Sequence, residues 1–320
     1  MIIGKQSSIV WALAAALCAS IALPARAAQL DTDARSAIPH DVQQLIVVDY
    51  RVMQNSPAAM NLKARVLPPE LKQLETALRH SGLDENQDVE VLAFAAYRLG
   101  GSEAVKIVGV AQGQFEISDI MATFKKNKVK PIMIRNNRLY PMGSSGMLVT
   151  FLNPTTMLFG ANDSIKPALD ARDGLAPSFL TNNNMIAAMQ QVEGEPIWSI
   201  LDQQGTQYMM HSLLGQASQL ADYEQVRKRL LDSSYTMNFT NGVKFNLYVL
   251  TSDTFTAATM SSLLNAAAMY EKVSGSDIEK QAIDSTSIDS SAGTLQVKFA
   301  ASDSQFSSLL QSPLFQNVVR

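Results

Sequence analysis

SYTMNFTNGVKFNLYVLT, residues 234–251, is two strand-like runs set about Asn241-Gly242. Both residues of that dipeptide tolerate positive φ, so it closes a hairpin at little steric cost. Ser252-Asp253 follows at once. A hydroxyl or carboxylate at this point accepts from the free amides of a first helical turn, so a helix is expected to start there. It would carry Phe255, Leu263, Leu264 and Tyr270.

The same order stands earlier in the chain. VEVLAFAAYR (89–98) and VKIVGVAQG (105–113) flank Leu99-Gly100-Gly101-Ser102, and Ser118-Asp119 then opens a helix bearing Ile120, Met121 and Phe124. Each hairpin is preceded by a strand and a long helix. The first set is LIVVDYRV (45–52) with SPAAMNLKARVLPPELKQLETALRHSG, broken near Pro68-Pro69. The second is EPIWSILD (195–202) with TQYMMHSLLGQASQLADYEQVRKRL. Each set ends in further strands and a short helix. In the first half, residues 130–161 read as a meander whose breaks all fall on turn-forming residues, and Asp163-Ser164 then caps a helix stopping at Gly174. In the second, STSID and TLQVKFA lead to Ser302-Asp303 and a helix taken as the counterpart of the Asp163-Ser164 helix.

Elements thus recur at a spacing of about 140 residues, too long for a solenoid and suited to duplicated domains. Within each unit lies β-α-β-β-α-β, the ferredoxin-like plan. The expected fold is therefore α+β: two tandem ferredoxin-like units with antiparallel sheets and helices packed on one face. Unit 1 spans 42–175 and unit 2 spans 195–320, with 176–194 as a joint and 28–41 as a polar lead. Each half is expected to bury its own core.

Residues 1–27 read as a signal peptide. Lys5 supplies the early cation, Ile9 to Leu23 the apolar run, and Ala25-Arg26-Ala27 a small-x-small site, so cleavage is expected between Ala27 and Ala28. The run is shorter than the ~20 residues that span a bilayer, so no stable transmembrane span is expected once the signal is removed. The product would be periplasmic or extracellular. Cys18, the single cysteine, lies in that signal. A mature chain without thiols excludes disulfide scaffolds, thiol catalysis and Cys-ligated metal sites. It would keep 24 basic and 29 acidic residues, which offers no basic excess for nucleic acid.

Chemistry-bearing patterns are few. In Gly143-Ser144-Ser145-Gly146, Ser145 has Gly143 two before it but Met147 two after it, which fails the nucleophile elbow. The loop lacks the Lys-Ser/Thr of a phosphate loop and leads into a strand, so it reads as a turn. His40 and His80 read as solvated residues. Tyr208-Met209-Met210-His211 has ligands suited to Cu(I), yet neighbours on one helix cannot all face one ion, and core packing is the better account. Asp84-Glu85, Asp88-Glu90, Asp170-Asp173 and Glu193-Glu195 sit at element ends, where solvated acids are ordinary. Lys125-Lys126-Asn127-Lys128-Val129-Lys130 and Arg227-Lys228-Arg229 fall in last helical turns and suit the helix dipole.

The signal, the repeat and the junction LYPMGSSGMLVTFLNPTTMLFGANDSIKPALD (139–170) together resemble a loose class of exported bacterial proteins of unknown function with tandem ferredoxin-like units. The resemblance covers residues 42–320 and implies no functional residue, because its motifs are turns and caps. No catalytic, cofactor-binding or metal-binding residue is expected, and no cofactor. The leading expectation is a non-catalytic binding or scaffolding protein whose partner is an unknown protein or a small apolar ligand. One alternative is a periplasmic hydrolase whose acids or serines converge only in the fold. Another is a carrier holding an apolar ligand between the two units, near Met209.

Overall fold

A computed structural model describes residues 28–98, 104–144, 146–215, 218, 223–312 and 315. The expected signal peptide, the turn Leu99-Gly100-Gly101-Ser102 and Ser145 lie outside the described residues.

Twelve strands form one antiparallel sheet: β1 Val42–Asp49, β2 Val89–Tyr97, β3 Lys106–Gly113, β4 Ile132–Ile134, β5 Asn137–Met142, β6 Met147–Asn153, β7 Thr156–Ala161, β8 Ile197–Leu201, β9 Leu230–Asn238, β10 Val243–Thr251, β11 Thr286–Ser291 and β12 Thr294–Ala301. Their order is β11-β12-β10-β9-β8-β1-β2-β3-β7-β6-β5-β4. The main helices are α1 Thr32–Ser36, α2 Pro57–Val66, α3 Pro69–His80, α4 Ile117–Lys126, α5 Asn162–Arg172, α6 Asn183–Val192, α7 Gln203–Leu214, α8 Thr254–Ser274, α9 Asp277–Asp284 and α10 Asp303–Leu309.

The α+β class holds. Outward from the β8–β1 seam the two halves run in the same order, β1-β2-β3-β7-β6 and β8-β9-β10-β12-β11. In both, the first crossover joins direct neighbours, β1 to β2 and β8 to β9, where the split β-α-β plan sets another strand between them, while the second, β3 to β4 and β10 to β11, does pass over intervening strands. The seam is a regular ladder, with Leu45 opposite Ile200 and Val47 opposite Trp198.

Two rows of cross-strand partners show how the sheet is buried, because partners point to the same face. On one face the row Phe299–Phe245–Met237–Ile197–Val48–Leu92–Ala111–Met157–Phe151 is apolar from one half to the other. This face is covered by α2, α3 and α4 in the first half and by α7, α8 and α10 in the second. On the other face the row Leu158–Val110–Ala93–Val47–Trp198 is apolar, and it then passes to Thr236, Asn246, Lys298 and Ser287. Here α1, α5 and α6 cover the first half and the seam. The expectation of helices on one face is therefore corrected for the first half, whose strands are apolar on both sides and must be covered twice. β7, for instance, is buried along five of its six residues.

The two closing helices are not equivalent. α5 buries Ile165, Ala168 and Leu169 against one face, while α10 buries Phe306 with Phe239 on the other, beside α2. A polar row on β12 and β11 leaves α10 nothing to bury on the former side, so that face of the second half stays open.

The segments expected as lead and joint both pack. Ala28, Leu30, Ala34, Ala37 and Ile38 enter the same core as Phe179, Met185, Met189 and Val192. The indole Nε1 of buried Trp198 donates to the Ala28 carbonyl at 2.9 Å. At the seam, the Gln44 side-chain amide donates to Ser199 Oγ at 3.3 Å and to Tyr235 Oη at 3.4 Å, which satisfies polar groups inside the sheet.

The cap signals divide. Asp253 accepts from the Thr256 amide at 2.8 Å and caps α8, and Ser302 caps α10 in a capping box with Gln305. Asp119 does not cap α4: that helix starts at Ile117 after Glu116, without a side-chain cap, which places Asp119 inside the first turn. The Thr256 amide, with Ser252 and Arg229 nearby, lowers the Asp253 carboxyl to about 2. A carboxyl lowered in the folded state lends stability above its unfolded value and loses it as pH falls through the folded one. Asp253→Ala is thus expected to lower the melting temperature at pH 7, with the difference shrinking between about pH 4 and pH 2, while Asp119→Ala changes little. Melting curves of both variants across that range test this, and equal losses at pH 7 would refute the assignment.

Candidate functional site

The open face becomes a groove because α6 rises beside it as a wall. α6 starts where Asn182 accepts from the Met185 amide at 3.1 Å, and its Met185, Met189 and Val192 pin it to the core. The floor is made by β9 and β10. On β10, Val243, Leu247 and Val249 are buried on the helix-covered side, so Tyr248 and Leu250 point the other way and are 37% and 40% exposed. The groove encloses about 1180 Å³ and is also lined by Leu231, Ser234, Asp232, Asp202, Gln203 and Thr294, with His40, Asn184 and Gln191 at the wall. That volume admits a small organic molecule.

Its polar groups differ in what they already do. Asp202 is the N-cap of α7, accepting from the Gly205 amide at 2.7 Å. Gln203 donates to the Leu230 carbonyl at 2.9 Å. His40 Nδ1 meets Thr181 Oγ1 at 2.9 Å, and the His40 carbonyl accepts from Asn182. Asp232 stands apart: across the β9–β10 ladder it faces Leu250, and among the described residues its carboxylate has no hydrogen bond or ion pair. Burial raises the carboxyl of Asp232, and burial also raises that of Asp202 against the pull of the Gly205 and Gln204 amides. Arg98 pulls Asp202 in the same direction as those amides.

The other acids weighed in the sequence do not come together. Asp84 accepts from the Asn86 amide at 3.0 Å, and Asp88 accepts from the Asp84 amide at 2.7 Å. Glu85 pairs with Arg79, and Glu90 with Arg51 at 2.7 Å. For Asp170, burial opposes ionisation, yet hydrogen bonds from Lys166 and Arg135 outweigh it and lower the carboxyl. Asp173 pairs with Arg135 at 3.4 Å. Glu195 accepts from Asn238 at 3.1 Å, and Glu193 ends α6.

Met210 is buried in the α7–α8 core and Met209 packs against it, while His211 lies outside with its ring 5.7 Å from that of Tyr223. This helix covers the face opposite the groove. Among the described residues no cluster of three His, Cys, Asp or Glu has the placement to hold a metal. Met142 and Met147 pair as β5 meets β6, on either side of Gly143, Ser144 and Gly146.

Sequence reasoning missed the groove. The signal available was the alternation in VKFNLYVL, which puts Tyr248 and Leu250 on the same side as Lys244 and Asn246. Large apolar side chains on a polar face are the mark of a contact surface.

No family model matches the chain, and no curated protein matches it. Among solved structures, two crystal forms of TP0453 are similar in fold. Form I is 9% identical with a TM-score of 0.49, covering 88% of this chain and 97% of that one. Form III is 10% identical with a TM-score of 0.49, covering 88% of this chain and 98% of that one.

Proposed function

We propose that this chain is an exported, non-catalytic binding protein that takes its ligand in the groove between α6 and the open face of β9 and β10. The observation that carries this reading is the groove itself, where exposed Tyr248 and Leu250 stand beside Asp232, whose carboxylate has no partner among the described residues. Two related α+β units, 42–175 and 195–320, supply the frame, and the broken equivalence of α5 and α10 leaves one of the two open. Export rests on Lys5, the apolar run to Leu23 and the Ala27–Ala28 site, with the mature chain working in the periplasm or outside the cell. Among the described residues no helix is long and apolar enough to cross a membrane.

Native mass spectrometry of the full mature protein, purified from the exported fraction of its own cells, tests both parts. The expected result is a chain beginning at Ala28 that carries a small-molecule adduct, and loses it when Tyr248→Arg and Leu250→Arg are introduced together. A chain still beginning at Met1 overturns export, and a clean mass for the parent protein overturns ligand carriage.

A further inference from the structure

We infer that the groove selects a small organic cation with an apolar stem: an alkyl or aryl compound ending in a protonated amine or guanidinium. This rests on the binding reading above and specifies its ligand.

Charge comes first. Among the described residues the lining carries Asp202 and Asp232 and no Lys or Arg. Asp202 already accepts the Gly205 amide at the start of α7 and feels the charge of Arg98, whereas Asp232 has no partner among the described residues and is the carboxylate open to a ligand. A half-buried carboxylate without a partner is costly to a fold, and its raised carboxyl registers that cost. An N–H donor of positive charge offsets the cost with a charge-assisted hydrogen bond, whereas an anion adds to it.

The surroundings fix the rest of the ligand. Leu250 sits directly across the ladder from Asp232, and Tyr248 lies one step along the same face. A Tyr ring beside a carboxylate attracts a cation to its face, while exposed Leu250 and Leu231 receive a hydrocarbon stem. A bare metal ion is a poor match, because one free carboxylate, with no cluster of ligands among the described residues, cannot replace a hydration shell.

Calorimetric titration of the mature protein with hexylammonium, hexanol and hexanoate tests the inference. Hexylammonium is expected to bind about tenfold more tightly than hexanol, and hexanoate more weakly than either. Asp232→Asn should remove that advantage while leaving hexanol binding in place, which also shows that the variant is folded. Tyr248→Leu should lower hexylammonium affinity several-fold and spare hexanol. Equal binding of hexylammonium and hexanol, or an undiminished advantage in Asp232→Asn, overturns the cation and leaves the groove standing. Failure of all three probes to bind overturns the groove as well.

Discussion

Trp198→Ala is expected to destabilise the protein by about 3–5 kcal/mol, the range for truncating a fully buried aromatic side chain. Trp198 lies on β8 with no exposed surface, opposite Val47 across the seam and Thr236 on its other side. Its ring belongs to the core that gathers α1, α5 and α6, so the cavity would open where the two halves and Ala28 meet. Trp198→Phe separates packing from hydrogen bonding. It keeps most of the ring but leaves the Ala28 carbonyl without its 2.9 Å donor, a loss of about 1–3 kcal/mol for a buried polar group. Urea unfolding at unchanged slope would report both values. Should Trp198→Ala cost under about 1 kcal/mol, the seam is not the centre of stability argued here.

The second large effect concerns the halves. Residues 28–175 produced alone are expected not to fold, and residues 28–320 are expected to unfold in one transition. Cutting at 175 removes Phe179, Met185, Met189, Val192, Trp198 and Ile200 from the core and turns β1 into an unpaired edge. That edge would present Leu45, Val47 and Val48 without their partners on β8, a template for aggregation. The core on the opposite face loses Phe239, Val243, Phe306 and Leu310 as well. Circular dichroism of the fragment and calorimetry of the whole chain decide the matter. A soluble fragment with a cooperative melt, or two separated transitions in the parent, would restore the picture of independent units in which each half buries its own core.

Both results bear on how the binding groove works. If the seam and α6 share one core, the wall of the groove is held by the same contacts that hold the two halves together. Ligand occupancy would then raise the melting temperature of the entire chain, since anything bound only to the folded state stabilises it by mass action.

What the sequence determined by itself is local. Asn241 and Gly242, with φ of 57° and 92°, turn the chain between β9 and β10 because their backbones tolerate that region, and a Cβ at Gly242 would lie 2.6 Å from the Ala301 carbonyl oxygen. Asp253 starts α8 because its carboxylate reaches the third amide beyond it. The repeated order of elements was likewise legible, since hairpins, caps and apolar runs depend on residues within a turn or two of one another. Even there the local code has limits: Ser118-Asp119 carries the same letters as Ser252-Asp253, but α4 starts two residues before Asp119, after a turn set by its neighbours.

Only the tertiary structure decided which strands lie side by side and which faces are covered. A strand's hydrogen-bonding edges carry no mark of their partner, so the joining of β1 to β8 into one sheet follows from contacts some 150 residues apart in sequence, whose closure depends on total burial. The side taken by α5 and by α10 depends in turn on whether the strand row beneath is apolar, as at Val110 and Leu158, or polar, as at Asn246 and Lys298. Nothing within either helix records that choice. The groove and the unpaired carboxylate of Asp232 are its consequence, and so the candidate site exists only at the level where distant strands meet.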